Sequence, residues 1–250
     1  MQQETKNNNR ILLGAHFSIA GGLQGALDQA AAYGCTALQV FTKNATTWKE
    51  RTLAREEIEK FRSAHEARGT PYVCAHGAYL INLASPDTDK RRKSMMALKH
   101  ELIRASELSI PHVIIHPGAH MGAGEKQGIK LIGAAIASTY RRLPRATARL
   151  LLETTAGQGS TLGYGFQQLA SISEAAAVGN SIGFCLDTSH IFAAGYDLRT
   201  RKTYETTMHA FDKAIGLERL HVIHLNDSQK PFGSKVDRHA HIGQGAIGID

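Results

Sequence analysis

Short β-rich apolar runs alternate with longer helical patterns along almost the whole chain, and this rhythm restricts the fold more than any other feature of the sequence. The runs are ILLGAH (residues 11–16), ALQVF (37–41), YVCAH (72–76), HVIIH (112–116), RLLLE (149–153), IGFCLD (182–187) and LHVIHL (220–225). Nearly continuous apolar strands of this kind are covered on both faces, as parallel strands under a helical layer must be. The expected fold class is therefore α/β, a TIM-type (β/α)8 barrel with seven strands readable from the sequence. A doubly wound open sheet is the rival, but no G-x-G-x-x-G follows any of the early strands, which weakens a dinucleotide-binding version.

A length of 250 residues suits one such domain, since barrels of alternating strands and helices commonly have about this size. Residues 11–250 are expected to form it, C-terminally incomplete, with the eighth βα unit falling beyond Asp250. The opening MQQETKNNNR (1–10) reads as a disordered polar tail without the apolar stretch of a secretion signal. No run of about 18 apolar residues occurs, so a cytoplasmic protein with no membrane partner is expected. Cys35, Cys74 and Cys185 share no C-x-x-C spacing and read as packed free thiols. Between the third and fourth runs a helix is signalled by Ser85 as cap, Pro86 at the first position and Asp87 and Asp89 at the positive end. Its core face would be Met95, Leu98, Leu102 and Ala105, with the basic run 90–93 on a solvated face.

Polar residues mark the carboxyl ends of these strands. His16, His76, His116, Glu153, Asp187 and His224 each lie at or within a residue of such an end, and in a parallel barrel that rim is the active face. The intervals from His76 through His116, Glu153 and Asp187 to His224 are 40, 37, 34 and 37 residues, each one βα repeat, so neighbouring strands deliver one donor apiece. His190, three residues beyond Asp187, and the pair Asp237 and His239 join them. Eight nitrogen and oxygen donors exceed the three or four one zinc ion needs and imply two or three ions. Clustered ions suit phosphate ester hydrolysis, because they activate a bridging water as hydroxide and neutralise charge on the phosphoryl group. Mixed imidazole and carboxylate donors favour zinc, with manganese or iron as substitutes.

The other histidines read differently. His112 and His221 start their strands and should face the opposite rim, while His65, His100 and His209 lie on helices. His16, His120 and His241 are expected beside the ligands rather than among them. The net charge of +7 suits a polyanionic partner.

With these residues in place the chain resembles the endonuclease IV family of zinc-dependent apurinic/apyrimidinic endonucleases of DNA base-excision repair. The resemblance runs from about Leu13 to Gly248 and is carried by GAHFSIAGGL, FTKN, HGAYLINL, HPGAH, ETTAGQGSTLG, LDTSHIFAAGYDLRT, HLNDS and FGSKVDRHAHIGQGAIG. It implies a barrel with three zinc ions, a bridging hydroxide nucleophile, and hydrolysis of the phosphodiester 5′ to an abasic site, leaving a 3′ hydroxyl and a 5′ deoxyribose phosphate. It implies metal ligation by His76, His116, Glu153, Asp187, His190, His224, Asp237 and His239, with Glu153 bridging two ions and His190, Asp237 and His239 holding the third. Glu153, Asp187 and His224 would form the catalytic group. Tyr79 and Leu80 would press into double-stranded DNA at the lesion, where a missing base lowers the cost of unstacking, and Lys43 and Asn44 of FTKN would bind DNA as well. A monomer is expected.

Three departures from the family pattern stand out: its last ligand, a glutamate on the eighth strand, would fall after Asp250; Thr46 stands where relatives often have an arginine; and Gln244 replaces a common acid. The alternatives are a metal-dependent sugar isomerase or epimerase on a similar barrel, and a truncated form that binds DNA with weak or no turnover. The group His190, Asp237 and His239, together with HGAYLINL and the basic charge, favours the nuclease.

Overall fold

The computed structural model describes residues 11–68, 72–143 and 147–249; the expected tail, residues 1–10, lies outside them. Seven strands form one sheet: β1 (Gly14–His16), β2 (Ala37–Phe41), β3 (Tyr72–His76), β4 (His112–Ile115), β5 (Arg149–Glu153), β6 (Ile182–Asp187) and β7 (Leu220–His224). Their spatial order equals their chain order, with β1 and β7 at the edges, and every pair is parallel. The connections carry α1 (Gly22–Ala32), α2 (Arg55–Ala67), α3 (Thr88–Glu107), α4 (Glu125–Arg141), α5 (Phe166–Ala176), α6 (Thr188–Ala194) and α7 (Arg201–Ile215). The sheet curls far enough for Gln39 Oε1 on β2 to meet His224 Nε2 on β7 at 2.8 Å.

Period-two alternation sorts each strand. On β5, Leu150 and Leu152 join the large core beneath the helices, which includes Leu98, Leu102, Ile132, Ile136, Phe166 and Phe211. Leu151 faces inward with Ile114, Cys74 and Cys185. This inner apolar floor separates two polar layers. Below it, Tyr72 is hydrogen-bonded to His112, the His112 and His221 rings stack at 4.9 Å, and Arg149 Nη1 donates to His221 Nε2 at 2.7 Å. Above it stand the strand-end residues of β3 to β7.

β7 breaks the alternation once. Phe184 pairs with Leu220 but Cys185 pairs with Val222, so His221 is the extra residue of a β-bulge. Leu220 packs against the outer core and Val222 against the inner one. His221 therefore faces inward beside an inward Val222, into space that Gly183 leaves open: a Cβ there would lie 2.3 Å from His221 Cδ2. Glycine serves the same end outside the sheet, where a Cβ on Gly133 of α4 would lie 2.5 Å from Ala175 Cβ of α5.

Two expectations need correction. The cap of α3 is Asp87, whose carboxylate accepts from the backbone N–H of Asp89 at 2.9 Å and Lys90 at 3.0 Å, rather than Ser85, so Pro86 precedes the helix instead of starting it. A carboxylate two residues later satisfies two free amides at once and complements the helix dipole. The core face of α3 also holds charge: Glu101 and Arg104 are buried along with Leu98, Leu102 and Ala105. The three cysteines are free thiols, two of them buried.

Candidate metal centre

The polar layer above the floor is built around Glu153. Its carboxylate lies 3.1 Å from His76 Nε2, 3.3 Å from His116 Nε2, 2.8 Å from His224 Nδ1 and 3.5 Å from His190 Nδ1. These side chains come from β3, the end of β4, β7 and α6, so the parallel sheet supplies the convergence. Asp187 ends β6 and caps α6, accepting from the His190 backbone N–H at 3.0 Å, which places a carboxylate and an imidazole three residues apart on one side of a tight corner. Asp237 and His239 arrive from the loop after β7. Asp237 Oδ2 lies 3.1 Å from His190 Nε2, Asp237 Oδ1 lies 3.2 Å from His239 Nε2, and the two imidazole Nε2 atoms are 3.3 Å apart.

All eight residues anticipated as ligands thus gather on one rim. Donor atoms of His76, His116 and Glu153, of Glu153, Cys185 and His224, and of Asp187, His190 and His239 each lie within 4.8 Å of one another. The ring tautomers test whether cations suit the place. His76 Nδ1 donates to the Gly77 carbonyl at 2.8 Å, which leaves Nε2 as a lone pair aimed at the Glu153 carboxylate. His190 Nδ1 donates to the Thr154 carbonyl at 2.8 Å, which turns its Nε2 toward Asp237 and His239. A neutral imidazole lone pair opposed to a carboxylate is repulsive unless a proton or a metal ion stands between them. The donor set fits divalent cations with imidazole and carboxylate ligands.

The electrostatics agree. Burial opposes the charge on Glu153, yet His116 and His224 hold its carboxyl well below the ordinary value. Burial likewise opposes the His190 imidazolium, but Asp187, Asp237 and Glu153 raise it to about 10. Hydrogen bonds from His190 and His239 outweigh partial burial to keep Asp237 far below the usual carboxylate range. Three carboxylates in one cup attract positive charge strongly.

The surrounding side chains orient these groups in ways the sequence did not disclose. Thr154 Oγ1 accepts from the Asp187 backbone N–H at 2.8 Å, Asn226 Nδ2 donates to Asp187 Oδ2 at 2.7 Å, and Gln158 Oε1 accepts from the Asp237 backbone N–H at 3.0 Å. Gln39 links His224 to His16, its Nε2 lying 3.1 Å from His16 Nδ1. A glutamine on an inward position of ALQVF, and the polar run NDS after His224, were the available signals. His120 Nδ1 accepts from the Gly124 backbone N–H at 3.1 Å, and His241 is exposed.

On the rim, Tyr79 is 62% exposed, with its ring edge-on to Phe41 at 5.3 Å and tilted against His76 at 5.4 Å; Leu80 beside it is half-buried. Lys43 is only 3% exposed, and its ammonium donates to the Thr47 carbonyl at 2.6 Å, so it braces its own loop. Asn44 is exposed, but its side-chain oxygen accepts from Thr46 N at 2.9 Å and Thr46 Oγ1 at 2.8 Å.

Comparison with known proteins places this arrangement. The family described as xylose isomerase-like TIM barrel matches residues 27–250. A protein named probable endonuclease 4 from Chloroflexus aggregans is 46% identical over 237 residues, covering 95% of this chain and 83% of that one. A protein of the same name from Geobacter sulfurreducens is 45% identical over 238 residues, covering 95% and 80%. Among solved structures, endonuclease IV from Thermus thermophilus superposes with a TM-score of 0.82 at 36% identity, covering 94% of this chain and 84% of that one. A D-tagatose 3-epimerase-like protein reaches 0.71 at 16% identity, covering 94% and 82%, a likeness of fold alone. With a seven-stranded parallel sheet of barrel order and this degree of identity along nearly its whole length, the chain belongs to the endonuclease IV family.

Proposed function

We propose that the chain is a DNA-repair endonuclease that hydrolyses the phosphodiester 5′ to abasic sites in double-stranded DNA, with three zinc ions at the rim centre. His76, His116 and Glu153 would hold one ion, Glu153 with Asp187 and His224 a second, and His190, Asp237 and His239 a third. Divalent ions clustered there supply Lewis acidity for charge that builds on a phosphoryl group. The chain's own residues do the rest. Glu153, reached from four sides by imidazoles, fixes the spacing of the cluster and with Asp187 and His224 forms the catalytic group. The Thr154 and Gly77 carbonyls accept from Nδ1 of His190 and His76, so that each ring turns its Nε2 to the cup. Tyr79 offers an exposed aromatic face beside the centre and, with Leu80, fills the space a missing base leaves; Asn44 contacts the backbone nearby. The protein works as a monomer in the cytoplasm, and no described helix is long and apolar enough to cross a membrane.

The observation that carries this reading is the gathering of five imidazoles and three carboxylates on one rim of a chain of this family. The test is incision of a duplex with one abasic site, with and without a chelator, by protein reconstituted with zinc. Incision that chelation abolishes and zinc restores is expected. Folded, zinc-loaded protein that leaves the abasic strand intact would overturn the proposal.

A further inference from the structure

Asp227, just after β7, is buried, and its carboxylate reaches into the loop that follows it. Its Oδ1 accepts from the backbone N–H of Ser228 at 2.7 Å and Ile247 at 2.8 Å. Its Oδ2 accepts from Gly243 at 3.1 Å, Gly245 at 2.9 Å and Gly248 at 3.2 Å. Five backbone amides on one carboxylate resemble the concave amide nests that bind external anions; here the chain supplies its own. Glycine makes the cup possible. Gly243 and Gly248 sit at φ of 77° and 82°, and a Cβ on Gly245 would lie 2.4 Å from the Ser228 carbonyl and 2.5 Å from Asp227 Oδ1.

The cup is tied to the ligands by a short ladder. Asp227 and Ser228 pair antiparallel with His239 and Ala240, in the register Asp227 to Ala240 and Ser228 to His239. The Gln229 N–H donates to the Arg238 carbonyl at 2.9 Å and the Ala246 N–H to the Ser228 carbonyl at 2.7 Å. The segment bearing Asp237 and His239 is therefore held on both sides, by Gln158 before it and by the Asp227 cup after it. A loop fixed at only one end would leave a half-buried aspartate and an exposed histidine free to sample many positions, and each degree of freedom lost on binding an ion weakens the site.

We propose that Asp227 is a positioning residue: by clamping residues 243–248 it holds Asp237 and His239 in the geometry that completes the His190 site. The inference rests on the proposed ligand role of those three residues. Asp227→Asn is the direct variant, because the amide keeps the shape but turns one acceptor oxygen into a donor facing amides. Ile247→Pro is the second, since it removes one N–H from the cup and leaves the aspartate in place.

Hydrogen exchange, zinc content and incision are measured together on zinc-loaded full-length protein. In both variants the amides of Gly243, Gly245 and Gly248 are expected to exchange at least tenfold faster, bound zinc to fall by one per chain, and kcat to fall at least tenfold with KM nearly unchanged. Added zinc should restore kcat, a rescue that a general loss of folding would not show. Faster exchange with zinc content and kcat unchanged would overturn the positioning role while leaving the ligand assignment intact. Wild-type protein that binds no zinc would instead remove the reading on which the inference rests.

Discussion

The most demanding test of the packing concerns Arg104 and Glu101 on α3, a charged pair inside the core. Arg104 is 3% exposed and Glu101 1%. The guanidinium donates to Thr42 Oγ1 at 2.9 Å and Glu50 Oε2 at 2.6 Å, reaches the Arg51 carbonyl at 3.4 Å, and lies 3.0 Å from Glu101 Oε2. Thr42 also donates to Glu101. Replacing Arg104 by methionine fills most of the volume but leaves Glu101 buried with only the Thr42 hydroxyl, and an uncompensated buried charge costs about 3–5 kcal/mol. Removing both charges, as Glu101→Gln with Arg104→Met, strands no fully buried ion, since Glu50 is partly exposed and keeps His100 Nδ1 at 3.4 Å, and such replacements often cost little. The double variant should then be more stable than the Arg104→Met single variant, with a coupling energy of about 2–3 kcal/mol. Urea unfolding of the chelated protein measures all four corners of the cycle at constant m value. In thermal unfolding the single variant should melt roughly 6–20 °C lower, at about 2–4 °C per kcal/mol for a domain of this size. Additive single and double effects would refute the reasoning, because they would mean that the two charges do not sense one another. Thr42, Glu50 and Arg51 belong to the segment between β2 and α2, so the single variant should also loosen the rim loop containing Asn44 to Trp48 and raise KM for abasic duplex.

Further outcomes follow from the layers and the helix contacts. Burial, the neighbouring His221 and Arg149 lower the His112 imidazole to about 4, and burial with Arg149 and Arg219 lowers His221; the folded state thus prefers both rings neutral, its full stability holds above about pH 6.5, and it is lost as pH falls towards 4. His112→Gln should flatten that acid slope in urea midpoints taken between pH 7.5 and 4.5, and an unchanged slope would contradict the assignment. Gly133→Ala should destabilise by about 1–3 kcal/mol through overpacking against Ala175 while leaving incision per folded molecule intact; an unchanged melting temperature would show that α4 and α5 can separate freely. Tyr79→Ala should weaken binding of abasic duplex about tenfold, within the roughly 1–3 kcal/mol of a base–aromatic contact, with zinc content unchanged; loss of zinc would reassign the residue to the metal centre.

Much of the site was legible because a parallel strand converts spacing into position. His76, His116, Glu153 and Asp187 stand one βα repeat apart, at intervals of 40, 37 and 34 residues, and at inward positions at the ends of their strands, so topology alone gathers them. What stayed hidden depends on loops and on burial that no period reports. The Asp227 cup needs left-handed glycines folded back onto the segment after β7, and a single aspartate in HLNDS carries no sign of that. Lys43 reads as a surface cation until its carbonyl partner is seen. Glu101 and Arg104 did fall on the buried side of α3, Glu101 three residues from Leu98 and Arg104 seven from Ala97, and a charged pair at helical spacing beside the apolar stripe was the available signal.

The bulge at His221 has a consequence for how such a chain tolerates insertion and deletion. Losing one residue from a barrel strand normally turns the remainder inside out. Here it would do the reverse: without His221, Leu220 facing out and Val222 facing in are neighbours of a regular ladder, and His224 keeps its place opposite Asp187. The strand carries one residue more than its register requires, parked where Gly183 makes room. A chain shortened at that position would sacrifice the stacked ring over His112 and the acceptor of Arg149, yet its rim would be unaltered.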